Sequence, residues 1–308
     1  MRRRVMGAAT AVLLLSAAAY GLVSRGPLGL RGEYRRRIAE VVTSASASMP
    51  TPVVTEADLR HLPAPVATYV RRSGAIGRPR VTVMHAFMHG RIRSGPDAPW
   101  MPFSAEQVNS FVGKRRRLFF MDATMRGLPV DVLHVYDGGH ATMRARVRSL
   151  IPVVDASGPD MSRAERVTVV NDICVLAPGV LPFADAVWEE VDARRARAVF
   201  HIDGQDVHVE LTFGEDGALV DFVSDDRRRA DDRGTSFARQ RWSTPISRTA
   251  EQHGYMLASH GEARWHAPEP EGEFAYLEFT IDTIDYTADH RAGQKVTTRP
   301  AGRRVPTP

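Results

Sequence analysis

Apolar and polar residues alternate along most of the chain after residue 80, and this two-residue period constrains the fold more than any other feature. Residues 130–136 alternate up to the turn sequence Asp137-Gly138-Gly139, and residues 141–147 alternate after it. Side chains two apart share one face of a strand, so this segment is predicted to be a hairpin with one solvated face. The pattern recurs over residues 198–223, 255–265 and 274–286. Short alternating strands joined by tight turns form an antiparallel meander, not a parallel α/β sheet.

Two segments have a helical period instead. Residues 55–74 begin with Thr55-Glu56-Ala57-Asp58, in which the Thr and Asp side chains can satisfy the first free amides. Ser162-Arg163-Ala164-Glu165 has the spacing of a capping box, and apolar residues follow at helical spacing up to Ala177. A sheet of this length must cover its apolar face, and these helices are the available cover.

We therefore predict that residues 55–286 form one mainly β (α+β) domain. Its sheet is expected to be a strongly curved antiparallel meander or half-barrel, with the helices covering the concave face. Residues 26–54 are predicted to form a juxtamembrane helix and a linker, because small polar residues and two prolines lie at 44–53. Residues 287–308 are predicted to be a disordered basic tail, since they hold few bulky apolar side chains to offset their ordering entropy.

The N-terminus has the pattern of a membrane-insertion signal. Three arginines at positions 2–4 precede residues 5–23, which are nineteen residues without a charge. A helix of that length spans about 28 Å, close to the hydrocarbon core of a bilayer. Residues 1–25 are therefore expected to be a single-pass anchor, with the membrane contacted through residues 5–23.

A cleaved signal peptide also fits this N-terminus, and the protein would then be secreted. Its apolar core would be residues 5–15, with a small-residue cleavage site at Ala17-Ala18-Ala19. Five arginines between positions 25 and 37 nearly balance the charge before the segment, so the positive-inside rule leaves the orientation open. Because the pattern is that of a signal, we expect the large domain on the outer side of the cell membrane.

The basic residues of the chain lie largely at its two ends. The net charge is +5, and only two of the 41 basic residues are lysines. Basic ends beside a membrane segment are typical of contacts with anionic lipid headgroups. Along the sequence, basic and aromatic residues do not alternate as they do in nucleic-acid platforms, so no nucleic-acid partner is predicted.

Metal and cofactor motifs are absent from the sequence. Cys174 is the only cysteine, which excludes an internal disulfide and a CxxC zinc pair. His85 and His89 lie on a predicted strand, where positions four apart are separated by about 13 Å, too far to share a metal. The sequence contains no GxGxxG or GxxxxGK[ST] phosphate loop and no GxSxG nucleophile motif. We predict no metal site and no cofactor.

Several short motifs resemble a bacterial family of unknown function, over about residues 55–286. The resemblance implies no activity, and members of that family often carry an N-terminal membrane segment. The order of the elements also resembles, more loosely, the half-barrel of bacterial lipoprotein-localisation factors, which carry acyl chains between a curved sheet and a helical lid. The motifs are Leu62-Pro63-Ala64-Pro65-Val66, Arg72-Ser73-Gly74, Pro99-Trp100-Met101-Pro102-Phe103, Asn171-Asp172, Ser224-Asp225-Asp226-Arg227, Arg241-Trp242-Ser243-Thr244-Pro245 and Gly261-Glu262-Ala263-Arg264-Trp265.

Candidate site residues come from these motifs. Asp225 and Asp226 are adjacent carboxylates beside arginines; their pKa values can split, so that one acts as a general acid, or they end a solvated hairpin. Asp172 lies on the predicted helix and needs a buried partner, which Arg227 or Arg241 would supply. The catalytic candidates are Asp225, Asp226 and Asp172. The ligand-binding candidates are Asn171, Asp172, Arg227, Arg241, Trp242, Trp100, Trp265 and Glu262.

Three hypotheses about function follow. The first is a non-enzymatic, envelope-associated domain that binds an apolar or lipid-like ligand between the curved sheet and its helices. The second is a hydrolase-like enzyme that uses the carboxylate cluster. The third is a structural partner in a membrane complex, which predicts a solid core without a cavity. A concave side filled by side chains would count against the first hypothesis.

Overall fold

The computed structural model describes residues 28–46, 52–231 and 234–287, together with Gly21 and Gly26. Apart from Gly21 and Thr287, the predicted membrane segment and the predicted basic tail lie outside these residues. No helix in the described ranges has both the length and the hydropathy needed to cross a bilayer.

Helices and strands follow the predicted periods closely. The described α-helices are α1 (Leu30–Ser46), α2 (Ala64–Arg72) and α3 (Pro159–Leu176), and 3₁₀ turns cover Glu56–Leu59 and Pro178–Phe183. The strands are β1 (Val83–Ile92), β2 (Met101–Ser110), β3 (Arg116–Met125), β4 (Leu128–Asp137), β5 (His140–Val147), β6 (Ile151–Ser157), β7 (Ala186–Asp192), β8 (Arg195–Ile202), β9 (Gln205–Phe213), β10 (Leu219–Ser224), β11 (Arg228–Ala230), β12 (Phe237–Arg239), β13 (Arg241–Ser243), β14 (Ile246–Gln252), β15 (Tyr255–His266) and β16 (Glu273–Thr287).

Fourteen of these strands form one antiparallel sheet, which confirms the predicted meander. Its order is β6-β5-β4-β3-β2-β1-β16-β15-β13-β10-β9-β8-β7, with β14 pairing beside β15. The pairing of Val83 with Thr287 joins the first strand to the last. β11 and β12 form a separate hairpin. Between the described residues, β6 and β7 end the sheet without pairing to one another, so the sheet is open.

Helix α3 links β6 to β7 and occupies the concave side of the sheet. It contacts strands from both halves, including β5 and β6 on one side and β9 and β10 on the other. Fifteen of its eighteen residues are buried. Apolar side chains from the inner face surround it, among them Met121, Tyr136, Phe200 and Leu211. The predicted helical cover of the concave face is confirmed for α3, and the helix with its packing fills much of that side.

Helix α1 packs on the opposite face of the sheet. Leu30, Tyr34 and Val41 are buried against apolar side chains of β1 to β4, including Phe120 and Leu133. The Tyr34 and Phe120 ring centroids are 5.5 Å apart. The prediction of a solvated outer face on the β4–β5 hairpin is therefore wrong for β4, because α1 covers the apolar residues that alternate with the inner ones.

The start of α3 differs from the predicted capping box. The helix begins at Pro159, three residues earlier, because proline lacks the amide that the first turn would leave unpaired. Ser162 donates its hydroxyl hydrogen to the Gly158 carbonyl and accepts from the Ala141 amide. Glu165 turns into the interior instead of capping the helix. In contrast, the Asp58 carboxylate accepts from the Thr55 amide at 2.8 Å, so the predicted helix start there is confirmed.

Asp221 on β10 gives the fold a pH-dependent stability. One of its carboxylate oxygens is buried without a partner, and burial raises the pKa of Asp221 from 3.8 to about 6. Between these pH values the unfolded chain binds fewer protons than the folded chain, so the free energy of unfolding falls as pH rises from about 4 to about 6. Asp221→Asn is expected to remove this loss and to stabilise the protein by up to about 3 kcal/mol at pH 7. Urea denaturation at pH 4 and pH 7 measures the effect, and equal gains at both pH values would contradict it.

Candidate functional site

Helix α3 presents two carboxylates to the inner face of strands β2 to β4. Glu165 and Asp172 are seven residues apart, which is about two helical turns, so they lie on the same face. The facing strands carry polar side chains at alternate positions, and each points inward. These are Gln107 and Asn109 on β2, Arg117 on β3 and His134 on β4.

Asp172 is held by three nitrogen donors. Its Oδ2 atom accepts from Gln107 Nε2 at 2.8 Å, Asn109 Nδ2 at 2.8 Å and Arg117 Nε at 2.7 Å. The predicted partner, Arg227 or Arg241, is therefore wrong, because Arg117 on the opposite strand supplies the charge. The neighbouring Asn171 donates to the Thr244 hydroxyl at 3.0 Å.

Glu165 is 1% exposed and lies among two arginines and a histidine. Arg117 Nη1 donates to its Oε2 atom at 3.1 Å, His134 Nδ1 is 3.3 Å from Oε1, and Arg227 Nη2 is 3.8 Å from Oε1. Burial opposes ionisation of Glu165, but the charges of Arg117 and His134 hold its pKa well below the ordinary value. Arg117 thus bridges both helix carboxylates to the sheet. Burial raises the pKa of Asp172, which Arg117 partly offsets.

Arg227 lies between two tryptophans on the far side of Glu165. Its guanidinium carbon is 5.3 Å from the Trp242 ring centroid and 5.9 Å from that of Trp265. Its Nε and Nη1 atoms are buried without a hydrogen-bond partner. The Trp242 indole donates to the Tyr276 hydroxyl at 3.2 Å. The structure therefore brings together three of the ligand-binding candidates, next to the ion network that holds Asp172.

The remaining candidates lie elsewhere. Arg241 faces Asp225 at 3.7 Å, and both side chains are more than half exposed. The Glu262 carboxylate accepts from Arg264 Nε at 2.7 Å, and Trp100 has Arg91 and Arg93 over its ring, each at 4.5 Å. The carboxylates considered for hydrolysis are thus dispersed: Asp172 is enclosed in the ion network, and Asp225 is on the surface.

An arginine-lined pocket of about 410 Å³ opens beside the first two turns of α3. The wall from α3 carries Arg163, Arg166 and Val167, and the start of β9 contributes the opposite wall. The segment around β11 and β12 closes the third side. The charged groups of the pocket are four arginines (Arg163, Arg166, Arg228 and Arg239), two aspartates (Asp206 and Asp226) and His208.

The two helix arginines keep their charge uncompensated. Arg166 is 4% exposed, yet its Nη1 and Nη2 atoms donate only to neutral oxygens, those of Gln205 at 2.7 Å and of the Gly139 carbonyl at 3.4 Å. Its Nε atom is buried without a partner. Across the described ranges, no carboxylate lies within ion-pair distance of Arg163 or Arg166. A buried guanidinium without a counter-charge favours binding of an anion.

The carboxylates of the pocket are already engaged. Asp226 Oδ2 accepts from the His208 backbone amide at 2.8 Å and lies 2.8 Å from His208 Nδ1, while Oδ1 accepts from Arg239 Nη2 at 3.0 Å. Asp206 lies 2.7 Å from His201 Nδ1. Asp226, a catalytic candidate from the sequence, therefore positions two other pocket residues and leaves the positive charge of the helix arginines in place.

Sequence reasoning identified only Asp226 among the pocket residues. The arginines come from α3, β11 and β12, and the histidine comes from β9, so no single sequence motif contains them. The arginine run after Asp226 was a visible signal, but a charge run by itself is more typical of a solvated surface. Among the described residues, no group of three or more His, Cys, Asp or Glu side chains is arranged to hold a metal ion.

The family of the chain follows from its sequence profile. Residues 52–279 match a family of unknown function, DUF6544. The chain belongs to this family. The resemblance predicted from the motifs is confirmed. Three of those motifs supply Arg227, Trp242 and Trp265, so this DUF6544 member gathers parts of its motifs around one partly buried arginine. No curated protein matches the chain.

Two solved structures align with much of this chain at low sequence identity. A DUF1329 family protein from Desulfovibrio piger ATCC 29098 is 13% identical, with a TM-score of 0.36, over 72% of this chain and 92% of that one. A LolA superfamily protein from Nitrosomonas europaea is 9% identical, with a TM-score of 0.38, over 76% of this chain and 96% of that one.

Removal of Arg117 tests the ion network. Arg117→Met leaves two buried carboxylates without their shared cation and is expected to lower the free energy of unfolding by about 3 to 5 kcal/mol. Arg116→Met is the matched control on the same strand, because Asp137 keeps Lys114 at 3.0 Å; its expected cost is below about 1 kcal/mol. Urea denaturation measures both variants. Equal costs would show that Arg117 does not hold α3.

Proposed function

We propose that this domain binds a small phosphate-bearing ligand in the arginine-lined pocket. The observation that carries the proposal is Arg166, a buried guanidinium with an unpaired Nε atom and no carboxylate partner among the described residues. Arg163 adds a second uncompensated charge on the same helix face. A ligand anion would supply the missing counter-charge and accept the free N–H group.

The shape of the pocket supports a phosphate ester in preference to a single inorganic ion. A volume of about 410 Å³ is within the range of small-molecule sites and leaves room for an organic group beyond the phosphate. Phosphate oxygens accept from several guanidinium planes at once, which suits arginines that converge from a helix and a hairpin.

For the lipid-like ligand predicted from the sequence, this proposal specifies which part of the molecule is bound. Because α3 and its core packing occupy much of the concave side, we place the polar headgroup in the pocket instead of an acyl chain in the core. The membrane location and the outer-side orientation belong to the same proposal and rest on residues 5–23. A phosphorylated lipid headgroup and a soluble phosphate ester share this chemistry, and experiment separates them.

Binding of two ligands to the purified full-length protein tests the proposal. Calorimetry with glycerol 3-phosphate measures the soluble ester, and co-sedimentation with vesicles measures the preference for phosphatidic acid over phosphatidylcholine. Arg166→Gln removes the central guanidinium and is expected to weaken binding roughly 10- to 100-fold, the effect of losing one charge-assisted hydrogen bond. Arg195→Gln is the control, because Arg195 is exposed and paired with Asp192 at 2.8 Å.

The outcomes separate the two ligand sources. Binding of glycerol 3-phosphate that depends on Arg166 indicates a soluble ester. Arg166-dependent preference for phosphatidic acid without binding of the soluble ester indicates a lipid headgroup. If neither ligand binds, or if Arg166→Gln and Arg195→Gln have the same effect while both remain folded, the pocket does not bind phosphate.

A further inference from the structure

One end of the sheet carries exposed apolar side chains beside unpaired arginines. Leu150 and Ile151, at the turn into β6, are 51% and 59% exposed, and Val153 follows on the same edge strand. Arg126 lies in the β3–β4 turn and Arg148 lies in the β5–β6 turn, both on the surface. Within the described part of the chain, neither arginine has an ion-pair partner. Leu28, just before α1, is 70% exposed and completes this basal patch.

Side-chain contacts join the start of α1 to this end of the sheet. Arg31 pairs with Asp122 on β3, which lies opposite Asp131 on β4. Ser149 in the β5–β6 turn donates to Asp131. Directly opposed residues on neighbouring strands have Cβ atoms about 5 Å apart, so this chain of contacts is short. These contacts place the start of α1 and the β5–β6 turn at the same end of the sheet.

The short connection between the apolar N-terminal segment and Leu28 argues for a bilayer as the occupant of this surface. Residues 5–23 end five residues before Leu28, and five extended residues reach at most about 18 Å. Because the start of α1 is fixed to β3 by Arg31 and packed through Leu30 and Tyr34, a bilayer that contains this segment lies close to the basal patch.

We infer that the basal patch is a membrane-contact surface for a bilayer with anionic headgroups. The exposed aliphatic side chains of Leu28, Leu150 and Ile151 enter the headgroup region, and Arg126 and Arg148 pair with lipid phosphates. The contact fixes the orientation of the whole domain, since α1 docks firmly on the sheet. The inference depends on the N-terminal segment and on this surface, and it is independent of the pocket.

Site-directed labelling of the full-length protein in vesicles tests the inference. The chain has one native cysteine, Cys174, which is buried, so a new surface cysteine can be labelled selectively. Val153→Cys places a fluorophore in the basal patch. Val187→Cys is the matched control, an exposed valine on the opposite edge strand, β7. The vesicles contain phosphatidylglycerol and a lipid that carries a fluorescence quencher.

The label at position 153 is expected to be quenched more strongly than the label at position 187. Arg126→Asn and Arg148→Asn, introduced into the Val153→Cys protein, are expected to shift the ratio of docked to undocked label roughly fivefold each. Asparagine suits these positions because both arginines have positive φ, 49° and 51°. Ile151→Cys replaces Val153→Cys if the latter does not fold.

Three results would overturn the inference. The first is equal quenching at positions 153 and 187. The second is failure of the full-length protein to associate with the vesicles. The third is a change in the fluorescence of the label at position 153 that depends on protein concentration in detergent without vesicles. Such a change would identify a second copy of the chain as the occupant of the patch.

Discussion

Arg117 makes the ionic contacts on which the packing of α3 in the interior depends. A helix with two carboxylates can be buried inside a curved sheet only if a cation is buried with it, and Arg117 bonds both Glu165 and Asp172. Its position on β3 fixes the height and rotation of α3 against β2 to β4. The side-chain amides of Gln107 and Asn109 donate the other hydrogen bonds to the carboxylate of Asp172. This polar contact sets the register of the helix within a core that is mainly apolar.

The position of α3 decides where a ligand can enter. Most of the helix is enclosed by the two halves of the sheet, so the concave side is occupied along much of its length. The first two turns of the helix line a pocket together with the start of β9 and residues around β11 and β12. Of the four arginines at this opening, Arg228 and Arg239 pair with aspartates, whereas Arg163 and Arg166 of α3 have no carboxylate partner among the described residues. The same helix therefore fills the core and supplies the candidate binding surface.

Several elements were predictable because their signals are local. The β4–β5 hairpin follows from alternation around Gly138 and Gly139, and β15 and β16 follow from the same period. The capping box at Ser162 was wrong, since Pro159 begins the helix earlier and Glu165 finds a stronger partner in Arg117. The solvated face of β4 was also wrong, since α1 comes from far along the chain to cover it. A short-range pattern cannot show which distant element will cover a strand.

The sequence by itself determined the antiparallel meander, the presence of a helix within it, the membership in DUF6544 and the apolar N-terminal segment. Each of these is encoded by neighbouring residues, through period, turn chemistry or motif. The tertiary structure alone decided the partners of the charged residues: Arg117 instead of Arg227 for Asp172, and an uncompensated Arg166 at the pocket. Charge pairing acts over a few ångströms in space, and the fold brings together residues that are far apart in sequence, such as Arg117 and Asp172, which are 55 positions apart.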